Sequence, residues 1–544
     1  MSDAPAPPDP LRDMQARWGG NYRWYVTVTA MMGTISTVLS ATIVNVALPD
    51  MMGAFGMGQD KAQLISTGFL AAMTATMLLN AWLLDSFGQR ATFSATLLLF
   101  IAASVMGGLA PSEPVLVLAR VLQGAAAGVL QPLAMVVIFQ VFPPAQRGSA
   151  MGIYGIGVVL APALGPTIGG IMVDSLSWRY VFFLSVPFCA AGVLLAGLFM
   201  PGRVATGPRR PFDWAGFGLM LAFLFTLLSA LSNGQRHGWM SHLVLRDFVL
   251  AALTGLGFLW WERRTAAPML NLSLFRSPAF AGAALVALVF GAGIYGSTYL
   301  IPLFVQTIQG YTPTRSGLIL MPAGLLLTLA FPLAGRLTDR LPAHWLILAG
   351  LAIFAWSAWL MADLDTNTPF WTLAMWIMLG RVGLALIMPS LNAGALRALP
   401  PALLGQGSGA VNFVRQLGGA LGTNLLAVAV ERRTQLYAQG FAASQDTANP
   451  ATVELLRQML GQILAQLGLP EGGLADGLGP DSIGMAEGPR LAYALDYLGR
   501  VLAAQAGMMG YRDGFLLTAL VFLLAIPPAF LMRRPSPKSG WRAG

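Results

Sequence analysis

The chain has 544 residues, of which 56% are hydrophobic and only 10% are charged. A soluble protein of this length carries about 25% charged residues, so most of this apolar surface must face lipid rather than a water-soluble core. The single cysteine, Cys189, excludes a disulfide framework and a cysteine-rich metal site. The net charge of +9 does not indicate nucleic acid, because the basic residues are scattered in short loops, where they set membrane orientation.

Apolar runs long enough to cross a membrane recur along the whole chain. A spanning helix needs roughly 20 mostly apolar residues. By that length criterion, the sequence contains about fourteen spans. They lie near 24–47, 63–84, 91–110, 114–139, 149–173, 179–200, 213–232, 245–262, 279–308, 315–335, 343–362, 369–393, 405–430 and 511–532. Uninterrupted runs exclude the alternating pattern of a β-barrel. The predicted fold class is an all-α integral membrane bundle.

The distribution of Lys and Arg predicts how the bundle is oriented. An even number of spans puts both chain ends on one side, and the side richer in Lys and Arg is cytoplasmic. The basic N-terminal tail, Arg90, Arg147 and the Arg533/Arg534 tail all fall on the same side. Both termini are therefore predicted to be cytoplasmic.

One connection, residues 431–510, is much longer than the others and falls on the predicted outer side. It contains an apolar periodic stretch from Val453 to Leu467, a break rich in Gly, Pro and Asp at 468–489, and a second helical stretch. Amphipathic helices in such a loop usually pack on their own protein or on the bilayer surface. An outer cap, a docking surface for a partner and a mobile insertion remain alternatives.

The loop after the second span carries a charged turn made of Asp85, Gly88 and Arg90, and a weaker copy with Asp339 and Arg340 follows the tenth span. The first resembles the cytoplasmic signature of the major facilitator superfamily, in which an acid, a glycine turn and a base clamp helix ends. Recurrence at corresponding places indicates an internally duplicated transporter.

The fourth and fifth spans carry two further patterns. Arg120 and Gln123 lie in a string similar to the superfamily's intramembrane arginine motif. The fifth span resembles the glycine motif of the antiporter branch, in which glycines permit close helix packing and prolines permit a kink. Its residues are Gly157, Pro162, Gly165, Pro166, Gly169 and Gly170.

With Trp178-Arg179-Tyr180 and Phe212-Asp213-Trp214 added, the sequence resembles the fourteen-span drug/proton antiporters of the EmrB/QacA type, in particular the Gram-negative EmrB subgroup. The resemblance covers essentially the whole chain. It implies a multi-pass inner-membrane exporter of hydrophobic drugs, detergents or fatty acids, driven by protons, with a periplasmic adaptor protein as partner. It also implies two six-helix halves, at 24–200 and 279–532, with a linker that carries two extra spans at 201–278. Short cytoplasmic tails are implied at 1–23 and 533–544.

The first span departs from that family. Such antiporters usually carry an aspartate where this chain has Ser40, although the framing residues from Leu39 to Pro49 match. A serine cannot take up and release a proton in the physiological range, whereas a desolvated carboxylate can. No other carboxylate falls near a predicted midplane. Two readings stay open: proton antiport through a peripheral acid, and a facilitator or a lipid, fatty-acid or metabolite exporter without proton coupling. The peripheral acids considered are Asp85, Asp213, Glu431 and Asp513.

Polar residues inside the spans are the candidates for the transport path. They are Ser36, Thr37, Ser40, Asn45, Arg120, Gln123, Arg381 and Arg415. A charge at the middle of a membrane helix costs about 2.5–3.5 kcal/mol on insertion scales, so each arginine faces either a cavity or a structural partner such as a backbone carbonyl. The small polar stripe of the first span lines the cavity or packs against a helix. Positive charge without an acid favours neutral or anionic amphiphiles over permanent cations.

The sequence gives little support to other classes of function. No Gly-x-x-x-x-Gly-Lys-Ser/Thr loop is present, which argues against direct use of ATP. The three histidines fall in two loops on opposite faces and have no metal-ligand spacing. We therefore expect neither an enzyme nor a cofactor or metal site.

Overall fold

The computed structural model describes residues 10–202, 211–443, 454 and 489–533, and these residues form helices and connections without a strand. The helices are α1 (Pro10–Trp18), α2 (Tyr22–Phe55), α3 (Gln59–Thr76), α4 (Asn80–Gly108), α5 (Glu113–Val141), α6 (Arg147–Ser175), α7 (Tyr180–Phe183), α8 (Ser185–Phe199), α9 (Trp214–His237), α10 (His242–Glu262), α11 (Pro278–Thr307), α12 (Pro313–Arg340), α13 (Ala343–Leu360), α14 (Phe370–Arg397), α15 (Leu404–Ala443), α16 (Pro489–Leu524) and α17 (Ile526–Phe530).

Over the described ranges, twelve helical runs are long and apolar enough to cross a membrane. One of them, Leu64–Gly108, holds two predicted spans, because the chain turns at Gly88 with φ 80° and ψ 173°, a conformation open mainly to glycine. Helix α6 occupies the fifth predicted span. Each of the predicted spans therefore coincides with a helix.

We call helices α2–α8 the first half and helices α11–α17 the second half, and α9 and α10 form a pair between them in the chain. In the first half, α3 and α4 pack on α5, and α2 packs on α6 and α8. In the second half, α11 packs on α15, α14 on α12 and α13, and α15 on α16. The extra helices α9 and α10 pack on each other, and α9 also contacts α3.

Glycines let neighbouring helices approach closely in both halves. A Cβ on Gly124 of α5 would collide with the carbonyl oxygen of Phe69 on α3, and a Cβ on Gly291 of α11 would collide with that of Arg415 on α15. Association of helices in lipid depends on such close packing rather than on hydrophobic burial.

Only some glycines of the predicted motif in α6 make close contacts with another helix. A Cβ on Gly165 would lie 2.5 Å from Oγ1 of Thr42, and a Cβ on Gly169 would lie 2.5 Å from Cγ1 of Ile43, so both positions pack on α2. Gly157 makes ordinary contacts, and Gly170 faces open space. The side chains of Pro162 and Pro166 lie outside the described part of the structure.

Two helices extend beyond their predicted spans into the predicted loop 431–510. Helix α15 continues to Ala443, and α16 begins at Pro489. Between them only Glu454 belongs to the described residues. The predicted apolar periodic stretch falls almost entirely outside those residues.

Candidate functional site

A buried polar cluster joins three helices of the first half around Arg120. Nη1 of Arg120 donates to Oε1 of Gln123, one turn further along α5, at 2.9 Å, and to Oγ of Ser40 on α2 at 3.3 Å. Nε2 of Gln123 donates in turn to Oγ of Ser104 on α4 at 2.8 Å. All four side chains are at most 3% exposed. The cluster therefore links α2, α4 and α5 by one hydrogen-bonded chain.

Every partner of Arg120 in this cluster is neutral. The guanidinium also donates to the backbone oxygens of Ser40 and Ile65, both at 3.4 Å, and lies 4.1 Å above the ring of Phe69. Backbone carbonyls and an aromatic face can stabilise a buried cation. Within the described part of the chain, these groups leave the guanidinium without a carboxylate partner, and the residue at position 40 is a serine rather than an acid.

The other predicted polar residues of the first span do not join this cluster. Oγ of Ser36 donates to the carbonyl of Met32 at 2.7 Å, and Oγ1 of Thr37 donates to that of Thr34 at 2.9 Å. Such bonds to the residue's own helix satisfy a hydroxyl locally. The side chain of Asn45 lies outside the described part of the structure.

Arg415 belongs to a second polar cluster, on α15. Its Nη2 donates to Oδ1 of Asn412, one turn earlier, whereas its Nη1 is buried and forms no hydrogen bond with the residues that the structure describes. Nearby, the hydroxyl of Tyr295 on α11 donates to Oε1 of Gln416 at 3.0 Å. Arg415 is 5% exposed and Tyr295 is 42% exposed, so the cluster runs from a closed interior toward an open surface.

Arg381 lies apart from both clusters. It occupies the middle of α14, and 8% of its surface is exposed. Among the described residues its side chain forms neither a hydrogen bond nor an ion pair. A buried cation in this setting is available to an anion that enters the bundle.

The two halves meet at the end of the bundle that carries Arg23, Arg147, Arg397 and Arg533, which we call the basic end. There the carboxylate of Asp339, near the last residue of α12, accepts hydrogen bonds from the backbone N–H groups of Gly148 and Ser149 at 2.6 and 2.9 Å. These N–H groups belong to the first turn of α6 in the other half, so Asp339 caps that helix N-terminus across the interface.

The same carboxylate binds two further groups. It accepts from the hydroxyl of Ser149 at 2.6 Å and forms an ion pair with Arg397 at 3.2 Å. The pKa of Arg147 is lowered, mainly by burial and to a lesser extent by the nearby charge of Arg397. Two cations therefore lie close to each other on this side of the carboxylate. The capping contact is therefore an electrostatic cluster that depends on one acid.

Close backbone packing accompanies this cap. A Cβ on Gly335 would lie 2.7 Å from the carbonyl oxygen of Gly148. One turn further along α6, a Cβ on Gly152 would collide with the carbonyl oxygen of Phe331 on α12. Only glycines permit α6 and α12 to lie this close.

A second inter-half contact lies between α15 and the first half. Nδ2 of Asn80 donates to the carbonyl of Gly405 at 3.3 Å, and Oγ of Ser408 donates to that of Pro132 at 2.7 Å. A Cβ on Gly409 would lie 2.6 Å from the carbonyl oxygen of Met77. These contacts and those of Asp339 close the basic end of the bundle.

The charged-turn residues predicted from sequence take different positions. Gly88 makes the turn, and Nε of Arg90 donates to the carbonyl of Met200 at 2.8 Å, within its own half. Asp85 lines a small cavity together with Gln406 of the second half. Arg340 is exposed at the end of α12. Of this set, Asp339 forms hydrogen bonds that cross between the halves.

Several residues of these clusters could not be predicted as site residues from the sequence. Ser104, Asn412 and Tyr295 are single polar residues in apolar spans, and their type and spacing carry no signal of their own. Gly148 and Gly152 do carry one, because a Gly-x-x-x-Gly pattern favours close helix packing. That pattern could have marked α6 as an interface helix.

A bundle of membrane-length helices that enclose buried polar and charged side chains has the architecture of a membrane transporter. The chain belongs to the major facilitator superfamily, whose family model matches residues 30–423. Its relatives include exporters of the EmrB type, as the sequence resemblance predicts.

The chain is 28% identical over 522 residues to the fatty acid resistance protein FarB of Neisseria gonorrhoeae, covering 95% of this chain and 97% of that protein. It is 29% identical over 448 residues to the multidrug export protein EmrB of Escherichia coli K12, covering 81% of this chain and 86% of EmrB. Among solved structures, the human organic anion transporter MFSD10 superposes with a TM-score of 0.59 at 14% identity, covering 94% of this chain and 99% of that one. The last likeness concerns the fold alone.

Proposed function

We propose that this protein exports small amphipathic molecules across a bacterial inner membrane by alternating access, and that it prefers anionic over cationic ones. Both chain ends lie in the cytoplasm in this proposal, as the Lys/Arg distribution predicts. The basic end is then the cytoplasmic gate, and the structure corresponds to the state in which that gate is closed.

The charge of the interior is the observation that carries the proposal. Arg120, Arg381 and Arg415 are 1%, 8% and 5% exposed. None of the three forms an ion pair with a described acid, whereas Asp339 pairs with Arg397 and Asp513 pairs with Arg433. A low-dielectric interior with cations and no acid attracts a carboxylate, sulfonate or phosphate group and repels a quaternary amine.

The relatives support this substrate class by their names alone. FarB is a fatty acid resistance protein and EmrB is a multidrug export protein. Fatty acids are anionic amphiphiles, and buried cations among apolar helices would suit both their headgroup and their chain. A periplasmic adaptor protein remains part of the proposal, because the family resemblance implies one.

The energy source has two candidates. Inward movement of protons could drive export, but Ser40 cannot carry the proton, so a carboxylate elsewhere would be needed. A facilitator would need no titratable group at all. The interior without an acid favours neither over the other, and a direct assay separates them.

The test uses the purified protein in liposomes with three amphiphiles of equal chain length: an alkyl sulfonate, an alkyl maltoside and an alkyl trimethylammonium. The sulfonate stays ionised at every relevant pH and carries no proton itself, so its transport reports on the protein. Protein-free liposomes provide the leak rate.

We expect the sulfonate to be transported faster than the ammonium compound, with or without an imposed pH gradient. Faster transport of the ammonium compound would contradict the anionic preference. Faster transport of the substrate when the compartment opposite to it is more acidic would identify proton antiport. Equal rates in both conditions would identify a facilitator.

A further inference from the structure

Two buried carboxylates meet where the central helix pair joins the basic end of the bundle. Asp213 is the N-cap residue of α9, and Glu262 is the last residue of α10. They are 9% and 4% exposed. The gate contacts described above do not involve either acid.

Each carboxylate has one oxygen with partners and one without. Oδ1 of Asp213 accepts from the backbone N–H of Gly216 at 2.9 Å and from Nε1 of Trp261 at 2.8 Å. Oε2 of Glu262 accepts from the backbone N–H of Leu270 at 3.2 Å. The remaining oxygens, Oδ2 of Asp213 and Oε1 of Glu262, are buried and have no hydrogen-bond partner among the residues that the structure describes.

These two oxygens converge on one place. Both lie within 3.0 Å of the point where a Cβ on Gly216 would be. The absence of a side chain at Gly216 is what lets them approach each other. Two buried carboxylate oxygens so placed repel each other strongly if both groups are ionised.

No described cation neutralises the pair. Neither carboxylate forms an ion pair with a Lys or Arg of the described ranges. Arg263 and Arg264 follow Glu262 but are exposed, and Arg264 stacks 4.3 Å from the ring of Trp260. Asp85 of α4 is a further titratable group of the described residues that lines the same small cavity as Asp213.

We infer that Asp213 and Glu262 together bind one proton, held as an O–H···O hydrogen bond between Oδ2 and Oε1, and that this proton stabilises the closed gate beside them. The proton comes from water at the basic end, and its uptake reduces the pair from two negative charges to one. A shared proton is the usual state of two carboxyl groups at one site.

The position of the pair connects it to the gate. The small cavity beside Asp213 is also lined by Trp82 of α4 and by Gln406 of α15. The preceding residue, Gly405, accepts the inter-half hydrogen bond from Asn80. Loss of the proton places a second negative charge beside this contact and weakens it. This inference supplies the exporter of the proposed function with a proton-binding group, but its test does not depend on transport.

Infrared difference spectroscopy on the purified full-length protein measures the proton directly. At about pH 6, ordinary carboxyl groups are ionised, so a C=O stretching band of an unionised acid reports a perturbed one. We expect such a band in the unchanged protein, and we expect it to disappear as the pH rises.

The band should be lost in Asp213→Asn and in Glu262→Gln, because either change removes one of the two carboxyl groups that share the proton and puts a neutral amide in its place. Both variants keep the size and hydrogen-bonding capacity of the original side chain, so the helix pair should fold. Asp247→Asn is the matched control, since Asp247 lies at the other end of α10 and is paired with Arg246 at 2.8 Å. It should retain the band. Absence of the band in the unchanged protein, or its persistence in either paired variant, would overturn the inference. So would its displacement by Na⁺ at constant pH, which would assign the site to a metal cation.

The link to the gate is measured by the distance between spin labels at Ala145→Cys and Leu341→Cys, two exposed positions beside α6 and α12. Cys189 is fully buried and should stay unlabelled. We expect the labels to move apart over the pH range in which the band disappears, and not in Glu262→Gln. If the distance between the labels stays constant while the band disappears, the link to the gate is refuted.

Discussion

The hydroxyl oxygen of Ser40 lies 3.3 Å from Nη1 of Arg120, so the residue that replaces the acid of related antiporters faces the buried arginine of the fourth span. An aspartate at position 40 would be placed to form an ion pair with Arg120. In this chain the described groups that contact the arginine are all neutral. The pair therefore offers a direct way to change the charge of the interior by a single substitution.

Ser40→Asp should weaken the preference for anionic substrates. A carboxylate at position 40 neutralises Arg120, and a charge-assisted hydrogen bond contributes about 1.5–3 kcal/mol, so the apparent affinity for an alkyl sulfonate should fall roughly 10- to 100-fold. The cationic amphiphile should be accepted better. Liposome transport measures both rates. The neutral Ser40→Asn is the matched control and should keep the preference for the anion; an unchanged preference in Ser40→Asp would contradict the proposed role of Arg120.

Arg120→Gln should weaken anion transport while neutral amphiphiles continue to be exported. The substitution removes the charge but retains donors for Gln123 and Ser40, so the cluster stays hydrogen-bonded. We expect KM for the sulfonate to rise roughly tenfold or more, which corresponds to about 1.4 kcal/mol. Arg120→Lys keeps the charge and should recover part of the loss. Equal loss of neutral and anionic transport would indicate that Arg120 only holds the helices together.

Asp339→Ala should open the basic end of the bundle. The variant removes the cap on the backbone N–H groups of Gly148 and Ser149, a loss that costs about 1–2 kcal/mol. The closed state should then lose roughly 5- to 30-fold in population. Spin labels at Ala145→Cys and Leu341→Cys would report the longer distance. Asp363→Ala removes an exposed acid near the end of α13 and should leave that distance unchanged.

Gly152→Leu should abolish transport without preventing insertion. Its side chain would collide with the backbone of Phe331, so α6 and α12 could not close the basic end. Uptake or efflux in liposomes should fall to the protein-free rate. The matched control is Gly170→Leu on the same helix, where a Cβ meets open space. Normal transport by Gly152→Leu would show that closure does not need this contact.

The class of fold could be predicted because lipid imposes simple rules on sequence. Runs of about 20 apolar residues must be helices, and each of the predicted spans coincides with one. The ends were less predictable. Helices α15 and α16 continue to Ala443 and from Pro489, beyond the apolar runs, because a helix outside the membrane needs no apolar signal.

The candidate site was predictable in its parts but not in its arrangement. A lone arginine in an apolar run stands out, so Arg120, Arg381 and Arg415 could be identified from the sequence. Their partners could not, since Ser104 and Asn412 resemble any small polar residue in a helix. The predicted path also included Ser36 and Thr37, whose hydroxyl groups bond to their own helix.

By itself, the sequence determined what each segment is: an apolar helix, a charged turn, a glycine-rich face, an arginine where lipid would reject one. These properties follow from local composition and from the free energy of transfer into lipid. Tertiary structure decided which of them meet. It placed Ser40 opposite Arg120, brought Asp339 to the first turn of α6, and turned the free oxygens of Asp213 and Glu262 toward each other. Such pairings join residues that can lie far apart in the chain, and packing between helices fixes them, which no local pattern encodes.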